Sequence, residues 1–448
     1  MAPGSFAQIA WLNRLQVMVL LTCLAAGAIM QGTQSDGSLL AKLVPNPTGH
    51  NGYEDYLRAG DMIGPDLWRS YENWLAYKQG GAKPIATDPD EDPTVPAIPP
   101  GVTPEMTDLA VRKLANDHLG AALDIIRQGN EKQTYDPRQE FSMETTFPEM
   151  SRFKMLAKVG ANKAHVEFAE GKVNQAVADL LEDLKFSKSV FVSTKIATLV
   201  SAAMQSIVLA EFQDHLGQLS LFDAQLVDKT CKSLIDSPIP LGEIYKREID
   251  LLIKDIDELI DKPDLVLSPE ELKGLGSAFR GLSTSDRRQL EDLVSQTVQN
   301  RVSAAADRMT GPESGWLIRD SSDDPTPSLN DRSVSNLAFV LSNELISKNQ
   351  ERQYARALAR ARVQLRLLRL HAQVIEYRWQ HNKWPTKMEE FAVDNASYDP
   401  FGGEAFHYEF KEGGYRLYSL GIPGLGPIEL RYHPLSAPQN SEVSHPRL

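Results

Sequence analysis

The feature that most constrains this chain is a run of apolar residues between Tyr354 and Trp379 that recur at alternating spacings of four and three. This spacing places all of them on one face of an α-helix, so the sequence predicts a long amphipathic helix. Arginines crowd the remaining faces, which we expect to be solvated or paired with acidic groups. Pro385 cannot continue a helix, so this one is expected to end near His381 and Asn382. The apolar residues are Tyr354, Leu358, Ala361, Leu365, Leu368, Ala372, Ile375 and Trp379, and the arginines are Arg352, Arg356, Arg360, Arg362, Arg366, Arg369 and Arg378.

The sequence after this helix predicts a short helical turn and a small antiparallel sheet. Thr386 with Glu389 is typical of a capping box that opens a short helix through Phe391. The composition of residues 398–403 indicates a turn. Two strands are predicted by alternation, and Glu412-Gly413-Gly414 between them suits a hairpin turn. The alternating residues are Phe406, Tyr408 and Phe410 in one strand, and Tyr415, Leu417 and Tyr418 in the other.

The motifs of this region follow one another in a characteristic order. They are the long helix, Tyr377-Arg378, Lys383-Trp384-Pro385, Asp399-Pro400-Phe401-Gly402, Tyr408, and Tyr415-Arg416-Leu417-Tyr418-Ser419-Leu420-Gly421. This order resembles the globular part of the major pseudopilin of type II secretion. The resemblance covers the last fifth of the chain and implies a helix packed on a small antiparallel sheet. It also implies that Trp379 and Trp384 lie between the helix and the sheet.

Two departures limit what the resemblance implies. In pseudopilins the long helix begins at the mature N-terminus with an apolar half in the membrane, whereas here it begins mid-chain and is rich in arginine. Pseudopilins also bind calcium through aspartates after the Ser-x-Gly loop, and here residues 422–427 carry no carboxylate before Glu429. Because calcium needs hard oxygen ligands, no metal is predicted at this loop. The C-terminal module is therefore predicted to share the pseudopilin fold without being a pilus subunit.

The N-terminal segment from Leu15 to Met30 is apolar, follows Arg14 and is free of charge up to Asp36. These features predict a signal anchor or transmembrane helix within residues 1–35. The chain would then cross the inner membrane once, with its bulk on the periplasmic side. Ala26-Gly27-Ala28 offers a cleavage site, so secretion after signal cleavage is an alternative. A buried helix of the folded body is the remaining alternative.

The rest of the sequence divides into segments of different composition. Residues 36–103 predict two short aromatic-rich helices followed by a proline-rich linker. Residues 104–332 predict an α-helical domain that starts at Thr103-Pro104-Glu105. Residues 333–432 hold the long helix and the β module, and the polar tail of residues 433–448 is expected to be disordered.

Within the helical domain the sequence predicts one helix from Leu109 to Ile126 and a helical hairpin from Phe153 to Val192. Gly171 is placed at the turn of this hairpin, and Ala176 where its helices touch. Ser220 with Asp223 is predicted to cap a later helix. The hairpin weakly resembles one tetratricopeptide unit, although no second copy follows at the spacing of about 34 residues. The predicted fold class is mainly α, with a small α+β module at the C-terminus.

Composition excludes some function classes. The 448 residues carry a net charge of −13 and a pI near 5.3. Nucleic-acid binding needs a basic surface, so no nucleic-acid partner is expected. Cys23 and Cys231 are the only cysteines, which excludes a disulfide framework.

No catalytic, cofactor-binding or metal-binding site is predicted. The sequence has no Gly-x-Ser-x-Gly elbow, no glycine-rich phosphate loop and no His-Glu-x-x-His motif. Its nine histidines are scattered. His165 and Glu167 are two residues apart, and His371, Glu376 and His381 follow at five-residue steps that do not share a helix face. We therefore do not expect an enzyme.

The whole layout resembles a family of uncharacterised bacterial envelope proteins with a signal anchor, a helical middle and a pseudopilin-like C-terminal module. It implies an anchored extracytoplasmic protein that acts as a protein–protein interaction or scaffold module. Its partners would be envelope proteins and, through Leu15–Met30, the membrane. One alternative is a component of a type II secretion or type IV pilus-like assembly, although Gly4-Ser5-Phe6 is not a prepilin cleavage motif. A second alternative is an envelope hydrolase whose site the sequence does not reveal.

Overall fold

A computed structural model describes most of the chain between Ser38 and Tyr432. The described stretches are 38–80, 96–138, 145–191, 194–254, 256–263, 267, 269–316, 330–345, 348–411, 414–422 and 426–432. The predicted anchor at Leu15–Met30, most of the proline-rich linker and the predicted disordered tail lie outside these residues. From Leu39 onward the described residues belong to one compact unit.

The described residues form fifteen α-helices and a three-stranded antiparallel sheet, which confirms the predicted mainly α fold with a small β module. The helices are α1 (Leu39–Leu43), α2 (Gly52–Met62), α3 (Pro65–Lys78), α4 (Asp108–Leu119), α5 (Ala121–Asn130), α6 (Pro148–Ala169), α7 (Val173–Ser189), α8 (Lys195–His215), α9 (Leu221–Asp236), α10 (Leu241–Lys254), α11 (Ile256–Asp261), α12 (Pro269–Arg280), α13 (Thr284–Thr310), α14 (Val334–Leu345) and α15 (Lys348–His381). The strands are β1 (His407–Lys411), β2 (Gly414–Ile422) and β3 (Gly426–Leu430).

Side-chain caps set several helix starts, and one predicted start is wrong. The box of Ser220 and Asp223 caps α9 as predicted, with the Asp223 amide donating to Ser220 Oγ over 3.2 Å. Thr103-Pro104-Glu105 does not start a helix. Instead Thr107 caps α4, because its backbone is extended and its hydroxyl accepts the Ala110 amide at 3.2 Å.

The single helix predicted from Leu109 to Ile126 is wrong, because the chain forms α4 and α5 there. Gly120 separates them, and its amide donates to the Asn116 carbonyl over 2.8 Å. A Cβ at Gly120 would lie 2.7 Å from that oxygen, so glycine permits this close approach. The break turns the two helices so that each buries its own apolar face.

The predicted helical hairpin is present as α6 and α7. Gly171 lies at its turn with a φ of 76°, a conformation that favours glycine, and Ala176 is fully buried where the helices touch. The likeness of this hairpin to a tetratricopeptide unit stays a prediction.

Buried side chains form three clusters that draw on distant parts of the chain. The N-terminal core joins α1 to α5 with parts of α6, α7 and α8. The central core joins α6 to α9 with most of α15 and the sheet. The lateral core joins α10 to α14 with the start of α15. Residues on both sides of each predicted segment limit, 103/104 and 332/333, therefore belong to the same core.

The long helix α15 lies at the junction of the central and lateral cores. The predicted apolar stripe is buried from Tyr354 to Ile375. Other faces are buried as well, because α15 also packs against α8 and α9. The expectation that all its remaining faces are solvated or paired is therefore wrong. Additional buried residues on α15 are Ala355, Ala359, Val363, Leu367, Leu370 and Val374.

The sheet has the order β1-β2-β3, with both pairs antiparallel. The predicted hairpin is confirmed, since Tyr408 pairs with Leu417 and Lys411 with Gly414. The third strand, β3, was not predicted because Gly426 and Pro427 give it the composition of a loop. It pairs Leu417 of β2 with Leu430.

The predicted capping box after the long helix is wrong, because the short helix is capped by Lys387 without a side-chain hydrogen bond. Glu390, not Glu389, accepts from the Thr386 amide at 3.1 Å and from its hydroxyl at 2.8 Å. The short helix is a single 3-10 turn at Met388–Glu390.

Asp183 on α7 is buried directly against Gly160 on α6. A Cβ at Gly160 would lie 1.9 Å from Asp183 Oδ2, so only glycine leaves room for this carboxyl group. Within the described part of the chain, Oδ2 has no hydrogen-bond partner. Burial and the neighbouring Asp179 raise the pKa of Asp183 well above its ordinary value, and Arg127 and Lys163 offset this only in part.

Replacing Asp183 by asparagine is expected to stabilise the protein progressively as the pH rises above 4. The folded carboxyl keeps its proton above the pKa at which the unfolded one loses it, so the wild type loses stability as the pH rises through this window. The unfolding free energy of Asp183→Asn relative to wild type should therefore grow between pH 4 and pH 7. Urea unfolding at both pH values measures this, and a constant difference would contradict the raised pKa.

Candidate functional site

Two motifs of the pseudopilin resemblance contact each other. They are the turn that begins at Asp399 and the segment that begins at Ser419. Asp399 Oδ1 accepts the Phe401 amide at 3.0 Å, and the Ser419 hydroxyl donates to the same carboxylate. Ser419 Oγ also accepts the Gly421 amide at 3.1 Å. Asp399 and Ser419 are both buried, so this hydrogen-bonded pair fixes the turn against β2. Its role is structural.

Trp384 lies between the long helix and the sheet, as the resemblance implies. Its ring is 5.3 Å from the rings of both Tyr415 and Tyr432, and the Arg378 guanidinium lies over it at 4.2 Å. Such aromatic and cation–π contacts stabilise a partly buried tryptophan. Trp384 therefore joins the last turn of α15 to the β module.

Trp379 does not lie between the helix and the sheet, so this expectation is wrong. Its side chain is 58% exposed, and its indole Nε1 donates to the Leu219 carbonyl over 3.1 Å. Phe222, three residues after Leu219, is 63% exposed. We call these two rings the Trp379–Phe222 surface. They are more exposed than any other large apolar side chain in the described part of the chain.

Several arginines of α15 are neutralised by acidic residues. Arg362 Nε and Arg366 Nη2 each donate over 2.7 Å to one oxygen of Glu313. Burial would raise the pKa of Glu313, but the two arginines lower it below its ordinary value. Arg369 Nε donates to Asp228 over 3.0 Å. These contacts confirm acid pairing for this part of the arginine-rich face.

His165, Glu211 and His215 converge on the outside of the central core, and we call them the histidine–glutamate cluster. Glu211 Oε1 lies 3.0 Å from His165 Nδ1 and 3.0 Å from His215 Nε2. His165 comes from α6, while Glu211 and His215 are four residues apart on the last turns of α8. The exposed fractions of the His165, Glu211 and His215 side chains are 39%, 15% and 14%.

The environment of this cluster keeps Glu211 ionised. Burial alone would raise the pKa of Glu211, but hydrogen bonds with His165 and His215 outweigh it and lower the pKa to about 2. The His215 ring stacks on Phe168 with centroids 4.0 Å apart, and its Nδ1 is 2.8 Å from Gln218 Nε2. The ring of His215 is therefore fixed on both sides.

Sequence reasoning missed this cluster because it compared His165 only with residues nearby in the chain, whereas Glu211 lies 46 residues away. Glu167, two residues away, bonds instead to Lys163. The only local signal was the four-residue spacing of Glu211 and His215, which places them on one helix face. Of the other histidines considered, His371 is buried against Tyr415 and belongs to no group of three potential ligands among the residues that the structure describes.

A small cavity beside α15 is lined by Lys188, Gln205, Arg362 and aliphatic side chains. Burial and the neighbouring Arg362 lower the pKa of Lys188 to about 7. The Lys188 amine donates to the Ser237 carbonyl over 3.0 Å. A neutral amine can act as a nucleophile, and the described residues that line this cavity include no carboxylate or histidine.

Comparison of the chain with protein families, with curated proteins and with solved structures finds no match in any of the three.

Proposed function

We propose that this chain is an interaction or scaffold protein of the cell envelope, which works by binding other proteins. The observation that supports this function is the Trp379–Phe222 surface. Tryptophan is enriched among the residues that dominate binding energy at protein interfaces. Two large rings left in solvent on the packed helices α9 and α15 cost hydration free energy that a partner surface would recover.

This surface is held in place by the fold, which favours binding. Trp379 belongs to α15, whose preceding turns are buried in the central core. Phe222 belongs to the first turn of α9, which the Ser220–Asp223 box caps. The hydrogen bond from Trp379 to Leu219 links the two elements. A preformed surface loses less conformational entropy on binding than a flexible one.

The membrane anchor of the proposal rests on the composition of Leu15–Met30, which lies outside the described residues. Among the described helices, only the stretch Lys195–Gln218 is long and apolar enough to cross a membrane. Half of it is buried inside the protein, as is usual for a core helix. We assign the anchoring role to Leu15–Met30 and the packing role to α8.

Photo-crosslinking in intact cells tests this proposal. With benzoylphenylalanine in place of Phe222, we expect a discrete adduct with an envelope protein. The matched control carries the same group at Ile98, an apolar residue that is 51% exposed in a different part of the fold. The control should not give this adduct, and adding Trp379→Ser to the Phe222 probe should reduce its yield at least tenfold.

The other outcomes discriminate between the functions. Equal adducts from both probe positions, or none from either, would reject the Trp379–Phe222 surface as an interface. An adduct with a cytoplasmic protein would reject the envelope location. A ladder of adducts made only of this chain would instead favour a subunit of a pilus-like assembly.

A further inference from the structure

We propose that His165, Glu211 and His215 bind a divalent metal ion such as zinc. Two imidazole nitrogens and one carboxylate oxygen are the ligand types that zinc takes in proteins. They come from α6 and α8, whose chain positions His165 and Glu211 are 46 residues apart. Within the described residues this is the one group of three or more potential ligands that lie close enough together to share an ion.

The spacing of the ligand atoms fits a coordinated ion. All three atoms lie within 4.8 Å of one another, and Glu211 Oε1 is 3.0 Å from each nitrogen. Ligands placed tetrahedrally at the usual zinc distances are about 3.3 Å apart. Both nitrogen–oxygen distances therefore lie within about 0.3 Å of this spacing, and the nitrogen–nitrogen distance, which is at most 4.8 Å, shortens by up to about 1.5 Å when both imidazoles coordinate one ion.

The ring of His215 already points its Nε2 atom at the shared position. Stacking on Phe168 fixes the plane of the ring, and Gln218 contacts its other nitrogen, Nδ1, at 2.8 Å. Here the Gln218 amide nitrogen faces Nδ1, so Nδ1 accepts from it; with a metal on Nε2, Nδ1 carries the proton, and the Gln218 side-chain amide turns over so that its oxygen accepts this proton. Metal-binding histidines generally have such a partner, which sets the tautomer and the direction of the lone pair.

The ligand set also indicates which ions bind. Imidazole ligands suit zinc, cobalt, nickel and copper, whereas calcium and magnesium need sites made of oxygen. Three protein ligands leave the fourth position of a tetrahedral ion free. His165 is 39% exposed, so solvent reaches the cluster. A water molecule or a ligand from another molecule would complete the shell.

Titration of untagged full-length protein with zinc chloride, followed by calorimetry, tests the site. We expect one equivalent to bind, and His165→Gln or His215→Gln each to weaken binding at least 100-fold. His381→Gln is the matched control, because His381 is an exposed histidine that contacts Tyr377 outside the cluster. It should bind zinc as the wild type does.

Cobalt provides a second measurement that reports on coordination. One equivalent of cobalt(II) should give visible absorption bands of four-coordinate intensity in the wild type and in His381→Gln, and not in Glu211→Gln. Circular dichroism of each variant establishes that it is folded. Absence of one-equivalent binding in the wild type would overturn the metal site. So would unchanged affinity in the folded His165 and His215 variants, which would leave the cluster as an ion pair only.

Discussion

Replacing Lys195 by methionine is expected to destabilise the protein by about 3–5 kcal/mol, because it leaves a buried carboxylate without its cation. The Lys195 amine contacts the Glu351 carboxylate and lies 3.7 Å from Glu248. The Tyr245 hydroxyl donates to the other oxygen of Glu351 over 2.9 Å. The Lys195 amine lies 4.8 Å from the centre of the Tyr245 ring. The Lys195 and Glu351 side chains are 16% and 9% exposed, so water cannot replace the missing charge.

Urea unfolding of two further variants tests this explanation. Removing both charges in Lys195→Met with Glu351→Leu should recover most of the lost free energy, since two apolar side chains replace the pair without an unpaired charge. Lys232→Met is the matched control. It removes an exposed pair with Asp236 at 2.9 Å, and water screens such a pair, so its unfolding free energy should stay close to that of the wild type. A loss in Lys195→Met no larger than in Lys232→Met would contradict the assignment of a buried pair.

Acid is expected to destabilise the fold by about 3 kcal/mol through His371 alone between pH 6.5 and pH 4. His371 is fully buried between α15 and the sheet. Its Nε2 donates to the Leu430 carbonyl over 2.8 Å, so the other nitrogen, Nδ1, accepts from the Tyr415 hydroxyl at 2.7 Å. Burial lowers the pKa of His371 to about 4, while the hydrogen bond to Leu430 opposes the shift weakly.

The direction of the effect follows from proton uptake. Between the ordinary pKa of 6.5 and the folded value, the unfolded chain binds a proton that the folded chain does not. Stability is therefore present above pH 6.5 and is lost as the pH falls toward 4. We expect the unfolding free energy of His371→Gln to fall by about 3 kcal/mol less than that of the wild type over this range.

Urea unfolding at pH 7, 5.5 and 4 measures the difference, and His381→Gln serves as the control. Its stability should follow that of the wild type, because His381 is exposed. Parallel loss of stability in the wild type and in His371→Gln would show that His371 does not carry this acid sensitivity.

Local chemistry explains which predictions from the sequence are confirmed. The end of α15 at His381, the turn at Gly171 and the capping box at Ser220 each depend on residues close together in the chain. The hairpin of β1 and β2 likewise follows from alternation around a glycine turn. The errors at Thr103 and Gly120 are also local, because Thr107 was the better cap and a break within an apolar pattern was overlooked.

Periodicity by itself determined that residues 354–379 form a helix and which side chains share one of its faces. It did not determine what covers each face, and that depended on the tertiary structure. Packing of α8 and α9 buried the faces expected to be solvated, while the end of the helix left Trp379 in solvent. The histidine–glutamate cluster was likewise decided by tertiary structure, because the contact of α6 with α8 brings His165 to Glu211 across 46 residues. Spacing along a helix fixes the angles between side chains, whereas only packing fixes the distances between helices.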